Sequence, residues 1–274
     1  MHTRYAFWYV IKKTPFRFNF TSMIEVLILS LIQGITEFLP ISSSSHLILV
    51  SDLINFEEQS LSIDVSLHIG SFIAVCTYFY KDLVNFTKKR ILLIKILYAS
   101  LPILFIGYLL TEINLIEKLR NIKTIGWTTF LFGILLYVSD KFKLNQSIKK
   151  DFTFKSAIII GLSQVFSLIP GVSRSGVTIT AARFLKFNRI DSAKISFLLS
   201  IPTLGAVSIY GFKNLIISQN YDFTMINFVS IILSFFFSLI TIKYFLKFIK
   251  RFSLKIFVIY RMILGLIILV FAYL

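Results

Sequence analysis

"QGITEFLPISSSSHLIL", Gln33 to Leu49, sets a carboxylate, four consecutive serines and a histidine inside an apolar run. The chain around it has 274 residues, 56% of them hydrophobic, with 30 phenylalanines. Soluble domains of this size do not carry that composition, whereas integral membrane proteins do. A span takes roughly 20 apolar residues, so the length allows about six spans and some shorter pieces. Polar groups placed in such a chain need partners or a task, because hydrocarbon leaves an unsatisfied group without water.

Outward from this stretch, long apolar segments fall near 65–80, 91–111, 124–139, 195–212, 225–246 and 256–274. Each is read as spanning, with 65–80 and 124–139 somewhat short. Two regions differ. Residues 23–39 stop at Pro40 and resume over 41–54; residues 156–169 stop at Pro170 and resume over 173–187. Proline interrupts a helix by removing a hydrogen bond, and apolar pieces of roughly 10–14 residues are more often re-entrant or buried than spanning. The second break carries its own polar stretch, "SLIPGVSRSGVTIT" from Ser167 to Thr180. Two broken segments in corresponding positions of two halves point to an internal repeat with a site at its interface. The expected fold is therefore an all-α integral membrane protein. It has six transmembrane helices and two re-entrant helix hairpins in an inverted-topology repeat, the first repeat at about 23–140 and the second at about 154–274.

The charge pattern agrees. The formal net charge is +16, and 19 of the 29 Lys and Arg lie in loops 81–95, 141–155, 183–194 and 243–255. Loop 55–64 has none and carries Glu57, Glu58 and Asp64. With six spans, and each broken pair returning to its side of entry, the basic loops share one face, which the positive-inside rule makes cytoplasmic. The basic balance thus reads as loop charge, and no nucleic-acid partner is expected. The two hairpins then enter from opposite sides and their tips approach near the middle of the bilayer. Residues 1–22 do not fit this scheme, since Arg4, Lys12, Lys13 and Arg17 fall on the outer side; they are read as an extension outside the native protein, with Met23 the expected start of translation. The single cysteine, Cys76, allows no internal disulfide and reads as a buried small hydrophobe.

Ionisable side chains inside a bilayer are read as functional, with named partners. Glu37 and His46 flank one break, and Arg174 sits at the tip of the other. Arginine offers a planar donor fork suited to phosphate. Gly171 and Gly176 permit close backbone approach, and the following helix start points N–H groups at an anion. Such a site suits a phosphate, a carboxylate substrate or a transported ion. Among Ser42 to Ser45, helix capping is as good a reading as binding. Asp64 and His68 lie one turn apart near a span entrance, where an interfacial pair is the simpler reading.

These residues carry a family resemblance. "QGITEFLP" (33–40), the serine run ending in His46, and "PGVSRSG" (170–176) resemble the two signature regions of the bacterial undecaprenyl-diphosphatase, or bacitracin-resistance, family. The likeness continues in "SLHIGSFIAV" (66–75), "SFLLSIPTLGA" (196–206) and "IYRMILGLI" (259–267), covering about 23–274. It implies an inner-membrane, multi-pass enzyme that hydrolyses undecaprenyl diphosphate to the monophosphate, recycling the lipid carrier for cell-wall synthesis. The implied site opens toward the periplasm and depends on a divalent cation, Mg²⁺ or Ca²⁺. By position, Glu37 is the carboxylate for metal or acid/base work and Ser43 the nucleophile or substrate contact. His46 is the acid/base candidate and Arg174 the diphosphate-binding arginine. Gln33, Ser42, Ser44, Ser173, Ser175, Gly171, Gly176 and Thr178 complete the implied substrate-binding set. Some members of that family carry Glu where this chain has Gln33, which leaves one carboxylate instead of two and puts more of any metal binding on Glu37 and the substrate's own phosphates. Lipid is the expected surrounding, and homodimerisation is left open.

Two rivals stand beside this reading. A polyprenyl-phosphate transporter or flippase shares the architecture, but would need Arg174 without the hydroxyl, histidine and carboxylate together. The acid-phosphatase type of lipid phosphatase has an SRxxxxxH element, whereas no histidine follows Arg174 in this chain.

Overall fold

The computed structural model describes residues 20–54, 61–113, 115–142, 146–217 and 225–274. Among them the protein is helical, with no strand beyond an isolated bridge between Gln146 and Phe187. In chain order the main helices are α1 (Phe20–Thr36), α2 (Ser43–Ile54), α3 (Leu61–Tyr78), α4 (Phe86–Glu112) and α5 (Ile122–Asp140). A second set follows: α6 (Phe154–Gln164), α7 (Arg174–Phe184), α8 (Arg189–Ile217), α9 (Met225–Ile249) and α10 (Lys255–Tyr273). Five of these, α4, α5, α8, α9 and α10, are long and apolar enough to cross a membrane. The apolar parts of α1, α3 and the α6 region are shorter. Large apolar side chains such as Leu101 and Phe105 on α4 and Ile263 and Leu266 on α10 are exposed, as lipid-facing surfaces require. The N-terminal extension expected over 1–22 lies outside the described residues except for 20–22, which open α1.

The packing partners of α1–α5 and α6–α10 correspond. α1 packs on α9, and its counterpart α6 packs on α4; α3 packs on α8, and α5 on α10. The halves therefore interlock, the leading arm of each broken pair resting on the middle long helix of the other half. Two glycines permit this closeness. A Cβ on Gly34 would stand 2.5 Å from Phe237 Cβ on α9, and one on Gly161 would stand 2.0 Å from the Ala99 carbonyl oxygen on α4. Helices without a hydrophobic drive between them associate through such small-residue contacts.

The four basic loops meet at one end of this bundle. The Asp82 carboxylate binds Lys89 of its own loop and Lys194, whose nitrogen is 3.1 Å away. Asp140, ending α5, forms an ion pair with Arg183 at 2.9 Å and accepts from Arg189 at 2.8 Å and from the Leu254 backbone N–H at 3.1 Å. The Ile148 N–H donates to Asp191 at 3.0 Å. Loops scattered along the sequence thus converge on Asp82, Asp140 and Asp191, as the charge pattern anticipates.

Candidate active site

Both breaks fall where expected, but the helices stop earlier than the prolines. α1 ends at Thr36, and residues 37–41 form turns before α2 starts at Ser43. α6 ends at Gln164, tightens into a 3₁₀ segment over Val165–Leu168, and the chain turns before α7 starts at Arg174. Each second arm begins behind a serine with left-handed backbone, Ser42 at φ 75° and Ser173 at φ 68°. Ser173 caps α7 by accepting from the Gly176 N–H at 3.1 Å. Gln33 and Gln164, Ser42 and Ser173, and Ser43 and Arg174 recur at one constant interval, and the last pair puts different chemistry at matching places of the two breaks.

The tips meet through Glu37. Its Oε1 accepts from Arg174 Nη2 at 3.0 Å and Nε at 3.4 Å, while its Oε2 accepts from Ser43 Oγ at 2.9 Å and Gln33 Nε2 at 3.2 Å. Glu37 is buried, with its side chain 7% exposed and that of Arg174 11%, so neither charge is left to water. Arg174 also donates from Nη1 to the Ser196 carbonyl at 3.2 Å. A cavity of about 210 Å³ opens over this cluster, lined by Glu37, Ser42, Ser43, Ser173 and Arg174 from the breaks. His68 of α3, Ile103 of α4 and Thr203 of α8 lie among the residues closing its walls.

The remaining expected residues divide by place. Gln33 is fully buried behind Glu37, outside the cavity lining. Thr178 is also fully buried, donating to Ser196 Oγ at 2.7 Å, so it steadies the wall behind Arg174. Ser175 donates to the Leu39 carbonyl at 2.6 Å and ties one break to the other. The Ser44 side chain lies outside the described residues. Three expected residues have other neighbours here. A Cβ on Gly171 would strike Thr128 Oγ1 at 2.0 Å, and one on Gly176 would meet Arg261 Nη1 at 2.8 Å, so both glycines serve close packing. His46 is not among the residues lining the cavity. Its Nδ1 pairs with the Ser42 carbonyl at 2.6 Å and its Nε2 with the Tyr260 hydroxyl at 2.5 Å, the two rings being stacked. Nε2 holds α2 against α10, while Nδ1 is taken up by the backbone at the start of α2.

Arg261 is the residue the sequence reading passed over. It is fully buried and donates to the carbonyls of Gly171 at 3.0 Å, Val172 at 3.0 Å, Pro40 at 3.3 Å and Thr129 at 3.2 Å. Its signal was present as an arginine inside an otherwise apolar helix, a placement that implies a dedicated partner.

The match to a protein-family model decides the kinship: residues 26–267 fit the model described as bacitracin resistance protein BacA. The chain belongs to that family. It is 47% identical over 255 residues to a protein of Pelagibacter ubique named undecaprenyl-diphosphatase, covering 93% of this chain and 99% of that protein. A protein of the same name from Saccharophagus degradans is 41% identical, covering 89% and 96%, and one from a Jannaschia species is 37% identical, covering 92% and 99%. The resemblance carried by the two signature stretches is therefore borne out along nearly the whole chain.

Proposed function

We propose that this protein hydrolyses undecaprenyl diphosphate to undecaprenyl phosphate and inorganic phosphate, in the cavity between its two helix breaks. The observation that carries the reading is Glu37 held between a hydroxyl on one side and a guanidinium on the other. A carboxylate accepting the proton of Ser43 is a nucleophile and its base within reach of one another. Arg174 is the cation that meets the diphosphate, which competes with Glu37 for it. Until substrate arrives the ion pair keeps two buried charges compensated. The family membership and the like-named relatives support the same reaction.

In the first step Ser43 Oγ bonds to the terminal phosphorus as Glu37 takes its proton, the bridging P–O bond breaks, and undecaprenyl phosphate leaves. Water then releases phosphate from Ser43. Phosphoryl transfer asks mainly for positioning and charge neutralisation, which Arg174 supplies from a frame fixed by Ser196 and Glu37.

A divalent cation fits as a partner of the same carboxylate. Among the described residues no three His, Cys, Asp or Glu gather to hold an ion. The Gln33 Oε1, however, is buried beside Glu37 without a hydrogen-bond partner. Glu37 and the Gln33 carbonyl would hold a hard cation together with the substrate's phosphates, an arrangement Mg²⁺ commonly accepts. Bound there, it would supply charge neutralisation to the diphosphate oxygens.

The corresponding packing of α1–α5 and α6–α10 supports an inverted repeat of six spans, α3 included, with α1–α2 and α6–α7 re-entrant. The converged basic loops would face the cytoplasm. His68 stands in the second turn of α3, counted from the end away from those loops, and this position supports a cavity opening to the periplasmic side of the inner membrane. Cysteines introduced at Lys149 and at Ser62 in a Cys76→Ala background test this. An impermeant thiol reagent added to intact cells should label only the second, and the reverse would overturn the orientation. For the reaction, phosphate release by purified protein given undecaprenyl diphosphate and Mg²⁺ or Ca²⁺ is the test. Absence of release under both ions would defeat it.

A further inference from the structure

We infer that His68 is a catalytic residue, the proton acceptor for the water that the reaction consumes. This role rests on the hydrolytic reading above and adds a group that neither signature stretch contains. Three histidines occur in the chain, and His2 lies outside the described residues. Of the other two, the motif histidine, His46, has both ring nitrogens occupied, by the Ser42 carbonyl and the Tyr260 hydroxyl, and does not line the cavity, whereas His68 lines it together with Glu37, Ser43 and Arg174.

The tautomer of His68 follows from its one hydrogen bond. Nδ1 lies 2.7 Å from the Asp64 carbonyl oxygen, one turn back on α3. A carbonyl can only accept, so Nδ1 carries the hydrogen, and in the neutral ring Nε2 is left with its lone pair. A lone pair suits the O–H of a water and not the oxygens of a phosphate. The other titratable side chains of the cavity are unsuited to the task. Arg174 has no acceptor, and Glu37 already accepts from Arg174, Ser43 and Gln33 and holds the Ser43 proton after the first step.

The second step then balances. The oxygen of water bonds to the phosphorus on Ser43 while its proton passes to His68 Nε2. The P–O bond to Ser43 breaks, and the serine oxygen recovers the proton held by Glu37. Inorganic phosphate leaves, and the imidazolium releases its proton to solvent. No redox partner is needed.

The test uses the full-length protein in detergent with undecaprenyl diphosphate and the cation used above, comparing wild type, His68→Gln and His68→Ala. The expected result is a fall in kcat of about 10²–10⁴-fold in both variants, with KM nearly unchanged. Added imidazole should restore part of the turnover of His68→Ala. With substrate labelled in its terminal phosphate, acid quenching of His68→Gln should trap more label on the protein than wild type does. Wild-type kcat in His68→Gln overturns the role, as does a loss in both variants that imidazole does not relieve. Release of no phosphate by the wild-type protein overturns the hydrolytic reading itself, and the two failures are thereby told apart.

Discussion

Arg261 Nη1 lies 3.3 Å from the Pro40 carbonyl oxygen and 3.0 Å from that of Val172, so one guanidinium on the last helix bridges both breaks. The chain leaves the helix at each break, and the carbonyls this frees must find donors in a place without water. Arg261 supplies them from a single rigid fork.

Arg261→Ala should therefore destabilise the protein and disable it at once. Each buried acceptor left without a donor costs about 1–3 kcal/mol, and the Pro40 and Val172 carbonyls would be stranded, whereas that of Gly171 also accepts from Thr129 Oγ1 at 3.4 Å. Thermal unfolding in detergent should show a large drop, and Arg261→Lys, with a shorter reach and no fork, should recover only part of it. Unchanged stability in Arg261→Ala would show that the carbonyls have other donors.

Glu37→Gln and Ser43→Ala each remove one half of the nucleophile–base pair. Either should lower kcat by about 10²-fold or more. Because the two act as a unit, the double variant should be little worse than the more damaged single one. Near-wild-type turnover in Glu37→Gln would displace that carboxylate from its central role.

Gly161→Ala places a Cβ against the Ala99 carbonyl oxygen, where only 2.0 Å is available. Backbone has to move, so α6 and α4 should part at a cost of about 1–3 kcal/mol. A fall in thermal stability, together with lost activity from the shifted Arg174, is the expected readout. Gly107→Ala, whose nearest neighbour is a Leu168 methyl at 3.4 Å, should be tolerated.

Acid should act on the loop end of the bundle through Asp82. Burial alone pushes this carboxyl up, but the hydrogen bonds and charges of Lys89 and Lys194 outweigh it, and the carboxyl is held below the usual aspartate range. A group whose value is depressed in the folded state contributes stability that is complete above the unfolded value, about 4, and is lost as pH falls through the folded one. Wild-type unfolding temperature should decline below about pH 4 more steeply than that of Asp82→Asn. Parallel declines would remove Asp82 from the account.

Much of this was legible because hydrocarbon is a demanding solvent. Segment length and Pro40 and Pro170 located the breaks, and lysine placement brought the loops to one end before any contact was visible. Glu37, Ser43 and Arg174 could be grouped because each is too polar for its neighbours. The division of labour between the histidines was not legible, since direction along a helix surface decides it: His46 turns to Tyr260 and His68 to the cavity, and neither spacing nor motif records which way a ring points. The glycines illustrate a related point. Small size signals that something comes close, and here it is Arg261, Thr128 and the facing helices.

The interlock of the halves bears on how the protein is made. α1 leaves the ribosome early, yet the surface it rests on, α9, begins only at Met225. Until then Gly34 faces lipid or a temporary neighbour, and the first half cannot complete its own fold. Assembly must finish after nearly the whole chain has been inserted. Separately expressed halves should accordingly mature only when present in the same membrane.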